Sequence, residues 1–227
     1  MINKIVTLVS LVVCLLAVNV NATYDGTISL YQGASFSSGN GGEFQAVTSG
    51  LGTFQTFCIE ESEYFSPGNT YNYKVNSGAV YGGVGAHTTD PYNPGYPMDN
   101  ISIGTAWLYS QFRNGTLTGY NYGSGRVASA GDLQNAIWWL EDEGGANNGF
   151  VTLAETTLSL NDSTIKKDSN GAYGVKALNL YTTDNGIVAQ DQLAIVVPEP
   201  TTLIAGALLL LPFGISTLRI IRTNKKA

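Results

Sequence analysis

Cysteine is nearly absent from this chain: there are two in 227 residues, at positions 14 and 58. A framework of several disulfides is therefore excluded as the source of stability. Histidine is scarcer still. His87 is the only one, which rules out a multi-histidine metal site, and no serine- or cysteine-centred motif surrounds it to make a hydrolase. Charge is thin as well, at 12% of residues, with a net charge of −6. Lys4, Arg219, Arg222, Lys225 and Lys226 lie near the two ends of the chain, so its interior is more acidic than the whole. The domain between those ends lacks clustered Lys and Arg able to neutralise phosphates, which argues against a nucleic-acid partner.

Glycine is abundant, at 27 residues, and aromatics reach 11%. That mixture suits a β-rich extracellular fold with many tight turns, and it argues against disorder. Alternation predicts strands over 26–31, 53–60, 71–75, 177–181 and 192–197, with Pro67-Gly68-Asn69 and Asp184-Asn185-Gly186 as turns. The segment 82–99, rich in Gly, Pro and Tyr, reads as a loop. Two helices interrupt the pattern. One covers 103–113 and ends at Asn114-Gly115. The other opens near Ser129, with Ser129 or Asp132 as its cap, and runs 133–143 before Gly144-Gly145 stops it. On it Leu133, Ile137 and Leu140 form an inward stripe. The expected fold is mainly β, sandwich or barrel-like, with a small helical insertion, over residues 23–197.

Both ends carry targeting signals. Residues 1–22 combine Lys4, an apolar run over 5–18 and Val20-Asn21-Ala22, the order of a cleaved signal peptide. Cleavage after Ala22 removes Cys14 and leaves Cys58 as the sole thiol. At the other end, Pro198-Glu199-Pro200 precedes an uncharged stretch at about 201–218, long enough for one transmembrane helix, and then a basic tail. The order motif, apolar span, basic tail over 198–227 resembles the PEP-CTERM sorting signal. That resemblance implies an exosortase-type processing protease as partner, transient anchoring in the inner membrane, and release to the cell surface or extracellular matrix of an exopolysaccharide-forming bacterium.

A lone thiol in an exported protein is left over, intermolecular or reserved for chemistry. Cys58 stands in the strand-like Phe57-Cys58-Ile59-Glu60, and Gln134 in the helical Leu133-Gln134-Asn135-Ala136-Ile137-Trp138. This ordered pair of segments resembles the signatures of bacterial thioester domains. The resemblance implies a Cys58–Gln134 thioester, shielded from water by Phe57, Trp138 and Trp139, which captures amine-bearing targets without enzymatic turnover. Neither a cofactor nor a metal is implied. On residue type alone, Gln134 reads instead as an exposed glutamine at a helix start. The alternative is an exopolysaccharide-associated structural or glycan-binding protein with a buried free Cys58, in which Tyr64, Tyr71, Tyr73, Tyr81, Tyr92 and Tyr96 stack on sugars. The acidic residues Glu60, Glu61, Glu63, Glu141, Asp142 and Glu143 read as a solvated face. The sequons at Asn100, Asn114 and Asn161 read as chance.

The sorting signal has a direct test. Glu199→Ala leaves the span's hydrophobicity unchanged, so it is expected to trap the protein in the membrane fraction. Unaltered processing and release of that variant would reduce the tail to an ordinary anchor.

Overall fold

The computed structural model describes residues 24–32, 41–81, 88–89, 95, 97–184 and 186–196. The signal at 1–22, the Pro198-Glu199-Pro200 motif, the span at 201–218, His87, Tyr92 and Tyr96 lie outside them. Among the described residues no helix is long and apolar enough to cross a membrane.

The chain is mainly β, and its larger sheet curls into a half-barrel. That sheet contains β1 (Gly26–Gln32), β2 (Phe44–Thr48), β3 (Thr53–Thr56), β4 (Thr70–Asn76), β8 (Val175–Thr182) and β9 (Val188–Ile195). Their order is β3-β2-β1-β4-β8-β9, and every neighbouring pair is antiparallel. A second, small sheet has the order β5-β7-β6, from β5 (Gly78–Val80), β6 (Thr88–Thr89) and β7 (Pro97–Asn100). Alternation explains the larger sheet: Ile28 and Leu30 of β1, Phe54 of β3, and Tyr71 and Tyr73 of β4 all turn inward. Tyr71 and Tyr73 are therefore core residues, not a sugar platform. Gly68 holds φ +87° in the turn before β4, a conformation open to glycine.

The strand predicted at 53–60 is split. Regular pairing with β2 ends at Thr56, and the chain then crosses to the sheet's other edge. Leu193 N–H donates to Phe57 O and Ile59 N–H to Asp191 O, each at 3.1 Å, and Cys58 stands opposite Gln192. Residues 57–59 thus form a seam joining the β3 and β9 ends of the curled sheet. Side chains alternate across it. Phe57 and Ile59 enter a core shared with the helices, while Cys58 enters the core beneath the sheet with Leu30, Phe54 and Tyr73.

The helical part is larger than expected. It comprises α1 (Ile103–Arg113), α2 (Arg126–Leu140), α3 (Gly149–Leu158) and α4 (Asp162–Ile165). The first matches its predicted bounds, capped by Ser102 Oγ accepting from Thr105 N–H. By contrast, α2 begins and ends earlier than predicted. Neither Ser129 nor Asp132 caps it: residue 125 is a glycine without a side-chain cap, and Ser129 Oγ accepts from Asn121 N–H instead. Sequence reasoning missed α3 and α4, which are preceded by Asn148 and Asn161, each capping its helix through its own side chain. Also missed were β2, β5, β6 and β7; β6 and all but the last residue of β7 fall inside the predicted loop 82–99.

The acidic residues do not share a solvated face. Glu61 and Asp142 are exposed, but Glu60 and Glu141 are buried, at 1% and 3%. At the end of α2, Glu141 Oε1 accepts from Ser102 Oγ at 2.7 Å and from Ser102 N–H at 3.2 Å, which braces the start of α1. Burial pushes this carboxyl from 4.5 up to about 8, and the Asp99 charge adds to the rise. The folded protein therefore holds this proton more tightly than the unfolded chain does, so stability falls as pH rises from about 4.5 through about 8. Glu141→Gln is expected to flatten that fall, read from urea-unfolding midpoints across the same pH range.

Candidate functional site

The seam and α2 meet at Cys58. Both Cys58 and Gln134 are buried, at 0% and 1% exposure. The stripe of Leu133, Ile137 and Leu140 faces the helical core. Gln134 lies one position round the helix from it, turned toward the seam together with Trp138, which packs in the core beneath the sheet. Gln134 is therefore not the exposed helix-start residue that its type alone suggests.

Its amide is seated on the peptide groups of Cys58. The Nε2 group donates to Cys58 O at 2.8 Å. In return, Oε1 accepts from Cys58 N–H and from Gly42 N–H, both at 3.0 Å. One buried side-chain carbonyl thus faces two backbone donors, the arrangement that stabilises an oxyanion during acyl transfer. The amide is also held beside the residue that carries the thiol, which raises their effective concentration. Sequence reasoning did not find Gly42. Its signal was the pair Gly41-Gly42, because a Cβ at 41 would lie 2.5 Å from Gln134 Cγ, and one at 42 would lie 3.3 Å from Gln134 Oε1. Only glycine lets this segment approach so closely.

The sulfur has its own surroundings. Burial pushes the Cys58 thiol up to about 12, and the nearby Glu60 carboxylate adds to the rise. Gln192 Nε2 donates to Sγ at 3.5 Å, which opposes it. At neutral pH Cys58 is consequently a thiol rather than a thiolate. Burial and Asp191 also hold the Glu60 carboxyl well above its ordinary range. Its Oε2 accepts from Asp191 N–H at 3.1 Å, while its buried Oε1 has no hydrogen-bond partner among the described residues.

Of the three aromatic residues expected around the pair, Phe57 and Trp138 lie beside it. Phe57 is buried edge-on against Phe112, their centroids 5.0 Å apart, and would meet a Cβ at position 42. Trp138 closes over Gly41. Trp139 lies elsewhere: it borders the helical core with Lys166 Nζ 3.9 Å above its ring. A cavity of about 250 Å³ reaches Gln134, walled by Gly41, Glu61, Tyr64, Asn135, Trp138 and Gln190. A larger one of about 460 Å³, bordered by Asp132, Asn148 and Phe150, touches neither Cys58 nor Gln134.

Three comparisons bear on these observations. No family model matches the chain, and no curated protein matches it. Among solved structures it is similar to the N-terminal thioester domain of fibronectin-binding protein SfbI from Streptococcus pyogenes. The identity is 15%, covering 77% of this chain and 95% of that one, with a TM-score of 0.40.

The seating of Gln134 has a measurable cost when removed. In a Cys58→Ala background, where no cross-link can form, Gln134→Leu leaves Gly42 N–H and both peptide groups of residue 58 buried without partners. Urea unfolding is expected to show a loss of ~3 kcal/mol or more relative to Cys58→Ala alone. An unchanged midpoint would mean that the amide is not seated there in solution.

Proposed function

We propose that this is an exported surface or matrix protein that stores an internal thioester between Cys58 and Gln134 and attaches through it to amine-bearing targets. The observation that carries the reading is the seating of the Gln134 amide on Cys58, with Oε1 between the N–H groups of Gly42 and Cys58. In the forming reaction, Cys58 Sγ bonds to Gln134 Cδ while negative charge builds on Oε1 between its two donors. The Cδ–Nε2 bond then breaks. The thiol proton leaves on the departing nitrogen, so ammonia is the only by-product and no net acid or base is consumed. Proton transfer accompanies attack, since burial disfavours a free thiolate at this position.

The finished thioester is an electrophile kept from water by Phe57, Trp138 and the core beneath the sheet. The cavity at Gln134 supplies the route for an amine. Attack on Cδ forms an amide as the C–S bond breaks, and the amine's proton passes to the sulfur. Each chain reacts once, which makes this attachment and not enzymatic turnover. The proposed route is the one read from the two ends of the sequence: signal-peptide export, a transient C-terminal membrane anchor, exosortase-type processing and release at an exopolysaccharide-rich surface.

Intact mass decides the matter. Folded wild-type protein is expected to be lighter than its sequence by one ammonia and to leave Cys58 closed to alkylation. Methylamine should open the bond, freeing Cys58 and leaving Gln134 methylated. Cys58→Ala and Gln134→Ala should each abolish the deficit completely. Gln134→Glu should abolish it too, because hydroxide leaves less readily than ammonia. Full sequence mass with an alkylatable Cys58 in freshly folded protein would leave a structural matrix protein with a buried thiol.

A further inference from the structure

Gly42 supplies one of the two donors to the Gln134 carbonyl, yet nothing in its own side chain can hold it in place. The next residue can. Glu43 is 1% exposed, and its carboxylate is gripped by three side-chain donors. Arg126 Nε donates to Oε2 at 2.8 Å, a terminal Arg126 nitrogen donates to Oε1 at 2.5 Å, and Tyr120 Oη donates to Oε2 at 2.7 Å. The Arg126 guanidinium also lies 5.9 Å over the ring of Tyr122.

We propose that the Arg126–Glu43–Tyr120 clamp positions the Gly42 N–H for the chemistry at Gln134, and so sets the rate at which the thioester is made and opened. The inference rests on the thioester reading. Three observations lead to it. Arg126 is the first residue of α2, and Gln134 lies on the same helix about 12 Å further along. The clamp therefore ties the Gly42–Glu43 segment, just before β2, to the very element that presents the glutamine. A forked arginine–carboxylate pair fixes orientation as well as distance, which a single apolar contact does not. Finally, Glu43 is fully buried and Arg126 partly so, and an ion pair of this kind adds little stability over well-packed apolar side chains of similar size, so stability alone does not account for placing one here. From Phe44 onward the strand is held by its pairing with β1 and β3, so the clamp secures the one peptide between that ladder and the donor.

Methylamine opening of the preformed thioester separates positioning from mere packing. Attack by the amine rebuilds charge on the same oxygen, so a misplaced donor slows opening. A loosened core does the opposite, because it admits methylamine and water more freely. Full-length Glu43→Gln and the doubly apolar Glu43→Leu/Arg126→Leu would be compared with wild type by intact mass against time, with melting curves recorded in parallel. The second variant keeps the volume buried should the first fold poorly. Loss of a complete oxyanion donor costs on the order of 100-fold in rate, so a displaced one is expected to slow opening by ~10-fold or more in a folded variant. A folded variant that never forms the thioester would support the clamp equally. Opening at the wild-type rate or faster, from a thioester formed normally, would overturn it while leaving the thioester itself intact. Wild-type protein without the ammonia deficit would sink the thioester reading, and the clamp with it.

Discussion

Three hydrogen bonds between one glutamine side chain and the backbone around one cysteine organise this molecule. Gln134 satisfies both peptide groups of Cys58 and the N–H of Gly42 in a buried position. Those groups are available because residues 57–59 leave the β2 ladder and use only part of their backbone in pairing with β9. Seam, helix and the Gly41-Gly42 segment therefore depend on one another. Removing the amide would leave buried donors and an acceptor without partners, at far greater cost than the net gain of an ordinary hydrogen bond.

The polar groups behind the seam serve the same geometry. Asp191 accepts from Val80 N–H, Leu180 N–H and Asn179 Nδ2, and Asn179 also reaches Gly78 O. This network joins the small sheet to β8 and β9 at the irregularity between Leu178 and Leu180. Gln190 Nε2 donates to Glu60 O, and Thr56 Oγ1 to Leu193 O. The seam is thus pinned by side chains at both ends. A chain this poor in charge can bury so many polar groups because nearly all are neutral amides and hydroxyls, or carboxyls whose pKa burial has raised.

Several elements were legible in the sequence. Helix α1 was readable because its apolar residues keep helical spacing and Asn114-Gly115 marks its end. Strands β1, β4 and β8 were readable through alternation. The start of α2 was not, since Gly125 offers no side-chain cap and its first turn lacks an apolar stripe. Helices α3 and α4 are short, and the Thr- and Ser-rich composition of that region weakens their helical signal. β7 was hidden by Pro97 and the surrounding glycines, the residues that normally mark a loop. The burial of Glu60 and Glu141 ran against residue type, because each is held inside by partners distant in sequence.

By itself the sequence determined the candidate pair, through a lone cysteine in a strand-like segment and a glutamine beside an apolar helical stripe. It also determined the β-rich character and the inward stripe of α2, since both follow from periodicity within a few residues. Tertiary structure alone decided the rest: Gly42 as the second donor, Gln192 against the sulfur, Trp139 away from the site, and the seam that carries Cys58 across the sheet. Gly42 lies 92 residues from Gln134, and Gln192 lies 134 residues from Cys58. Contacts over such separations arise from the order in which strands pair, and no local pattern encodes that order.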